Sequence, residues 1–139
     1  MKNKVKIAVT ELNRGGYHLF ITVKVNGKKC RFLIDTGASH SVIDKGYYEK
    51  NLKKKNLKTL KQETTGLHST VNESHFGIIR EVAVGKLLIK NYSSAAVDLS
   101  HVNATYKKLR KKKIDGILGS DILVKYKMVI DYGKKLLLS

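Results

Sequence analysis

Phe32-Leu33-Ile34-Asp35-Thr36-Gly37-Ala38-Ser39 places a carboxylate where an apolar run ends and a tight glycine turn begins. An acid in that position is half buried. Burial raises a carboxyl group's pKa, and a second carboxylate close by raises one member of the pair further. Two carboxyl groups that share one proton can divide the work of hydrolysis, the ionised one taking a proton from water while the protonated one donates to a carbonyl oxygen. Asp35 is therefore the first candidate for chemistry.

Upstream of it the chain reads as a β-meander. Tyr17, Leu19, Ile21, Val23 and Val25 alternate with His18, Phe20, Thr22 and Lys24, the period of a strand. Residues 5–12 read as an earlier strand, joined to this one through Arg14-Gly15-Gly16. Asn26-Gly27 is the strongest two-residue hairpin signal in the chain and leads into the strand that delivers Asp35.

Downstream, Ser41-Val42-Ile43 is a short apolar piece, and Asp44 is placed to cap a brief helix through Tyr47, Tyr48 and Leu52. Residues 53–61 are Lys-rich and irregular. Residues 62–90 return to β character, with a polar stretch over 64–77 and a turn at Gly85-Lys86 before Leu87-Leu88-Ile89. Tyr92 to Leu99 reads as another strand. Lys107-Lys108-Leu109-Arg110-Lys111-Lys112-Lys113 follows, read as a solvated loop. Ile114-Asp115-Gly116-Ile117-Leu118-Gly119, a short helix near 121–126, and a hairpin of Met128-Val129-Ile130 and Leu136-Leu137-Leu138 close the chain. No repeat and no linker interrupts it, so residues 1–139 are expected to form one domain.

Composition narrows the classes. Lys and Arg number 28 against 11 Asp and Glu, a formal charge of +17 that attracts polyanions without choosing among them. Cys30 is the single cysteine and cannot close an intrachain disulfide. The five histidines lack the close spacing of a zinc site, so no metal and no cofactor is expected. The N-terminus has charge but no apolar core of a signal peptide, and no apolar stretch approaches the roughly 20 residues of a membrane span. The expectation is a cytoplasmic protein with no membrane partner.

The Asp35 stretch resembles the Asp-Thr-Gly-Ala motif of the retropepsin-like aspartic peptidases. Ile117-Leu118-Gly119 resembles that family's second landmark, an apolar-apolar-Gly segment near the C-terminus, and the order and separation of the two also match. The resemblance covers roughly residues 17–138. It implies an all-β fold, a closed retropepsin-like β-barrel forming one lobe of the acid-protease fold, with one short C-terminal helix at Asp121-Ile122-Leu123. It implies that Asp35 is catalytic, that Gly37 lets a backbone amide approach it, and that Thr36 bonds across a dimer interface to its counterpart. Ala38 matches the retropepsin form, whereas the bilobed pepsin type usually has Ser there. Ser39 departs from the retroviral enzymes, which commonly have Asp at that position to hold the substrate backbone. The polar hairpin falls where the family carries its flap: Gly66 and Gly77 read as its hinges, Leu67 and Phe76 as apolar substrate contacts or core, and His68 as a substrate contact or a solvated loop residue.

A bilobed enzyme takes both aspartates from one chain, but this chain has one Asp-Thr-Gly. The second must come from another copy, across a two-fold axis where each loop meets itself. Asp131-Tyr132-Gly133 is the rival internal partner, though its flanks read as an ordinary turn. Asp115 and Asp121 read as helix-capping or ion-pairing groups. The expected activity is that of a homodimeric aspartic endopeptidase on protein or peptide substrates, with a weak polyanion contact through Lys107 to Lys113. The alternatives are a non-catalytic, peptide- or partner-binding dimer of the same fold and a nucleic-acid-associated basic protein.

Overall fold

The computed structural model describes residues 1–52 and 75–139. In chain order its strands are β1 (Lys4–Lys6), β2 (Ala8–Asn13), β3 (Gly16–Val25), β4 (Lys28–Ile34), β5 (Val42–Asp44), β6 (His75–Val84), β7 (Leu87–Val97), β8 (Gly116–Leu118), β9 (Val129–Asp131) and β10 (Leu136–Leu138). Helix α1 (Lys45–Tyr47) runs into a π-helical turn at Tyr48–Leu52, and α2 (Ser100–Lys108) and α3 (Ser120–Lys125) follow.

The hairpin that delivers Asp35 forms as its turn residues dictate. Asn26 and Gly27 both take positive φ, 50° and 84°, which matches the twist of the strands they join. Strand β3 then pairs antiparallel with β4, from Val25↔Lys28 to Leu19↔Ile34. The sheet continues β4-β8-β5-β7-β6, and β6 returns to β3 at Lys24↔Ala83 and Val25↔Val82, closing a six-stranded barrel with β2 on its outer edge. Closure removes most exposed strand edges.

Two apolar clusters fill the molecule. The larger lies inside the barrel and includes Leu19, Ile21, Val23, Phe32, Ile34, Ile43, Ile79, Val84 and Leu118. The smaller joins Phe20, Leu99, Tyr106 and Ile114, with Leu33 and Ile117 packed against it.

Several local expectations are revised. The segment read as a single strand over 5–12 breaks at Ile7, which is buried; β1 pairs with β10 (Lys4↔Leu138) while β2 pairs with β3. The chain changes sheets at that residue. The two strands read at 87–89 and 92–99 are one, β7, carried through Asn91 at φ 54°. Helix α2 was not expected at all, so the C-terminal helix α3 is not the one helix of note. Lys107 and Lys108 end α2 rather than lying in a loop, and the chain leaves through Arg110 at φ 61°, with the Lys111 amide donating to the Tyr106 carbonyl at 2.8 Å. Asp44 does cap α1, accepting from the Tyr47 amide at 3.1 Å.

Candidate active site

Asp35 sits one residue past the end of β4, half buried. Its backbone amide donates to the Leu118 carbonyl at 3.0 Å, and its own carbonyl accepts from the Ala38 amide at 3.1 Å. Oδ1 accepts from the Gly37 amide at 2.9 Å, so the turn that follows the acid also orients it. A Cβ on Gly37 would stand 3.3 Å from that oxygen.

Ile117 and Leu118 reach the site because β8 lies between the two arms of the Asp35 loop. It pairs parallel with β4 at Leu33↔Ile117 and Ile34↔Leu118, and antiparallel with β5 at Val42↔Ile117. Gly119 follows where the two chains nearly touch. A Cβ there would lie 2.8 Å from the Ala38 carbonyl oxygen and 3.0 Å from that of His40, so no larger residue fits without moving the loop. The Ser120 amide donates to the Ala38 carbonyl at 2.8 Å, and its hydroxyl to the Ser39 carbonyl at 3.5 Å. Thr36 and Gly37 are exposed at the tip.

A polar network beneath the loop was not anticipated. The Ser41 hydroxyl donates to Asp121 Oδ1 at 2.7 Å and accepts from the Gly119 amide at 2.8 Å. The Ser41 amide also donates to Oδ1, at 2.9 Å, and the Tyr92 hydroxyl donates to Oδ2. Burial works against the charge on Asp121, but the hydrogen bonds from Tyr92, Ser41 and the Ile122 amide outweigh it and hold the carboxyl below its usual range. Burial foremost, then the bond to this carboxylate, pushes the Tyr92 hydroxyl well up. The Asp121 carboxylate thus takes neutral hydrogen-bond donors, the Ser41 amide and hydroxyl and the Tyr92 hydroxyl. It ties β5, β7 and α3 together under the Asp35 loop. The signal in the sequence is its place two residues after the Gly landmark, with the three partners spread over 80 positions.

The other aspartates are committed elsewhere. Asp44 accepts from the amides of Tyr47 and Leu99, Asp98 from Ser100, Asp115 from Arg31, and Asp131 from Lys134. The Asp131 bond, at 2.8 Å, closes the turn between β9 and β10, as its flanks implied. All six aspartates of the chain are therefore placed, and five of them serve backbone geometry away from Asp35's own loop tip.

Of the residues expected in a flap, Gly66, Leu67 and His68 lie outside the described residues. Phe76 is in β6 opposite Ala95 and partly buried. Gly77, read as a hinge, instead pairs with Ser94 inside β6 and is pressed on the Tyr48 ring, where a Cβ would sit 2.7 Å from Cε1. Lys107, Lys111 and Lys113 line a surface pocket of about 570 Å³ with the two carboxylates Asp44 and Asp98 and with Asn103. Among the described residues no three His, Cys, Asp or Glu side chains gather as metal ligands, and no helix is long and apolar enough to cross a membrane.

A closed single-lobe barrel carrying an Asp-Thr-Gly loop cradled by an apolar-apolar-Gly strand defines a retropepsin-like aspartic protease. Residues 21–122 match the aspartyl protease family, and the chain belongs to it. Its fold is similar to the crystal structure of a retropepsin-like aspartic protease from Rickettsia conorii, with a TM-score of 0.58 and 26% identity over 96% of this chain and 87% of that one. It is also similar to the retroviral protease-like domain of Ddi1 from Leishmania major, with a TM-score of 0.58 and 19% identity over 86% of each chain. Over 120 residues it is 23% identical to DNA damage-inducible protein 1 of Neurospora crassa, spanning 86% of this chain and 24% of that protein.

Proposed function

We propose that the protein is an aspartic endopeptidase active as a homodimer, in which two Asp35 carboxyl groups hold the attacking water. The observation that carries this reading is that Asp35 is fixed by Gly37 and Leu118 at an exposed loop tip, while every other aspartate is engaged elsewhere. A two-fold axis through that tip brings the two carboxyls together, and only one of them can then be ionised. The ionised Asp35 takes a proton from water as it attacks the peptide carbonyl. The protonated one donates to the carbonyl oxygen, and the roles reverse as the amine leaves. No covalent intermediate forms. Thr36 is exposed beside Asp35, and in this reading it bonds to its counterpart across the axis.

The test is cleavage of a mixed peptide library by the purified protein, read by mass spectrometry. Asp35→Asn should lower kcat/KM by roughly a thousandfold or more with Tm unchanged, the scale of lost acid-base catalysis. Equal activity in the variant would refute the mechanism, and tight binding of uncleaved peptide would point to a binding dimer. Specific activity should rise with concentration as the dimer forms. Because each copy carries +17, association should strengthen with added salt.

The net charge of +17 and the basic run at 107–113 support a second property, a weak and salt-sensitive hold on polyanions, although Asp44 and Asp98 offset part of the charge of Lys107, Lys111 and Lys113 in their shared pocket. That pocket lacks aromatic side chains for stacking, so retention on heparin and on DNA should be similar and should fall together when the three lysines become Gln.

A further inference from the structure

The change of sheets at Ile7 leaves a gap beside β3. Strand β2 pairs with β3 only as far as Ala8↔Phe20, and β6 takes up the same edge at Lys24↔Ala83. Between them Ile21, Thr22 and Val23 have no strand partner on that side among the described residues. A notch of about 220 Å³ opens there, with Lys6, Phe20, Thr22 and Arg31 in its wall. Thr22 and Arg31 are directly opposed in the β3–β4 ladder and lie on its outer face, between the inward pairs Ile21↔Phe32 and Val23↔Cys30. Opposed residues of an antiparallel pair have Cβ atoms about 5 Å apart. Among the described residues no carboxylate lines the notch. Lys24 and Lys29 form the next outward pair and add to the positive field.

Arg31 is oriented but has no counter-charge. Its guanidinium carbon lies 3.9 Å from the centroid of the buried Phe20 ring, so stacking sets the plane of the group. Nε is sealed off without a hydrogen-bond partner, while the two terminal nitrogens reach solvent and no described residue pairs with them. Asp115 accepts from the Arg31 backbone amide at 3.0 Å and not from the guanidinium. Burial pushes the pKa of the guanidinium down, the mark of a cation drawn partly out of water. A cation so placed is costly alone, and a bound anion offsets that cost. The planar fork matches two oxygens of an oxyanion at once. Thr22 adds a hydroxyl donor, and the exposed Lys6 adds a second positive charge. A phosphomonoester carries about −1.5 to −2 at neutral pH and so matches two cations, whereas a phosphodiester or a carboxylate carries a single charge. The notch is smaller than the roughly 300–1,000 Å³ of pockets that enclose a whole ligand. It therefore has room for the phosphoryl group, with the rest of the molecule outside.

We propose that this notch is an anion site for the terminal phosphate of a phosphorylated small molecule, gripped by the Arg31 fork, with Lys6 and Thr22 taking the remaining oxygens. No residue of the Asp35 loop lines it, and Arg31 precedes Asp35 by four residues, roughly 13 Å along the strand. The site is thus separate from the Asp35 carboxylate, and the inference stands independently of the peptidase reading.

The experiment is a calorimetric titration of the whole chain at constant ionic strength and about pH 7.5, where a phosphomonoester is mostly dianionic. The probes are methyl phosphate and its monoanionic counterpart, dimethyl phosphate. The parent should bind one methyl phosphate per chain with a Kd on the order of 1 mM. Arg31→Gln and Lys6→Gln should each weaken binding by roughly tenfold, the scale of a charge-assisted hydrogen bond. Arg31→Lys keeps the charge but loses the fork, and should weaken it by roughly fivefold. Thr22→Val should cost roughly threefold. Lys107→Gln removes the same charge in a different pocket and should change the Kd by less than about twofold. Dimethyl phosphate should bind roughly tenfold more weakly than methyl phosphate. In thermal melts methyl phosphate should raise the Tm of the parent and leave that of Arg31→Gln unchanged. Equal weakening by Lys107→Gln reduces the binding to net charge and overturns the site. Dimethyl phosphate binding as tightly as methyl phosphate overturns the monoester assignment, and full affinity in Arg31→Lys overturns the fork. Absence of saturable binding refutes the whole inference. Should Arg31→Gln fail to fold, Lys6→Gln and Thr22→Val, both at exposed side chains, decide the outcome.

Discussion

The two faces of β4 are built to different ends. Cys30, Phe32 and Ile34 point into the barrel, where each is 5% exposed or less. Arg31, Leu33 and the adjoining Asp35 belong to the opposite face, where each is only partly buried and α2 supplies the cover through Tyr106. The guanidinium of Arg31 stacks on the Phe20 ring there, 3.9 Å from its centroid. The barrel face holds the fold by close packing. The α2 face is looser and polar at its end, and that is where a carboxylate can be both oriented and reached by water. One strand thereby anchors the core and presents the chemistry, because side chains alternate across it.

This contrast can be broken in graded steps. Phe32→Ala should cost about 4 kcal/mol, the loss of a buried aromatic together with the cavity it leaves, measured by denaturant unfolding. Next in size is Asp121→Ala, which strands the Ser41 and Tyr92 hydroxyls without an acceptor and should cost about 3 kcal/mol. The Asp121 carboxyl is held below its unfolded value of 3.8, so its contribution is fully present above that pH and is lost as pH falls through the lower folded value. A Tm profile from pH 2 to 6 should therefore show a shallower acid limb in Asp121→Ala than in the parent.

Gly119→Ala should cost about 2 kcal/mol, since its Cβ must displace the Ala38 and His40 carbonyls. Its effect on kcat should exceed what the stability loss explains, because those carbonyls belong to the Asp35 loop. Leu33→Ala is the mildest, about 1.5 kcal/mol for a half-buried side chain. At a temperature where both remain folded, it should lower kcat/KM more than Phe32→Ala does. The reverse order would mean that the two faces are not divided as described.

Most of the frame was legible in residues 17–35 and 114–123. The alternation of β3, the Asn26-Gly27 turn and the Asp-Thr-Gly loop are local signals, and the likeness of Ile117-Leu118-Gly119 to a family landmark supplied the one long-range pairing that matters most. Phe20 was less legible. It falls among the outward residues of β3, yet it is 1% exposed, because α2 lays Tyr106 across it at 5.4 Å between ring centroids. Helix α2 itself begins without a side-chain cap at Leu99; Asp98 accepts from the Ser100 amide instead, a weaker start signal next to a long basic run. The break at Ile7 has no turn residue to announce it. Only the competing partners β10 and β3 decide where the strand divides.

The sequence by itself determined the acid, its turn and the strand that carries it, since these follow from neighbours within a few residues. The tertiary structure decided what surrounds the acid. Ser41, Tyr92 and Asp121 converge from three parts of the chain under the loop, and the His18 ring meets the Tyr106 hydroxyl, because strand register and barrel closure act between residues up to 88 positions apart. No local pattern records such a meeting.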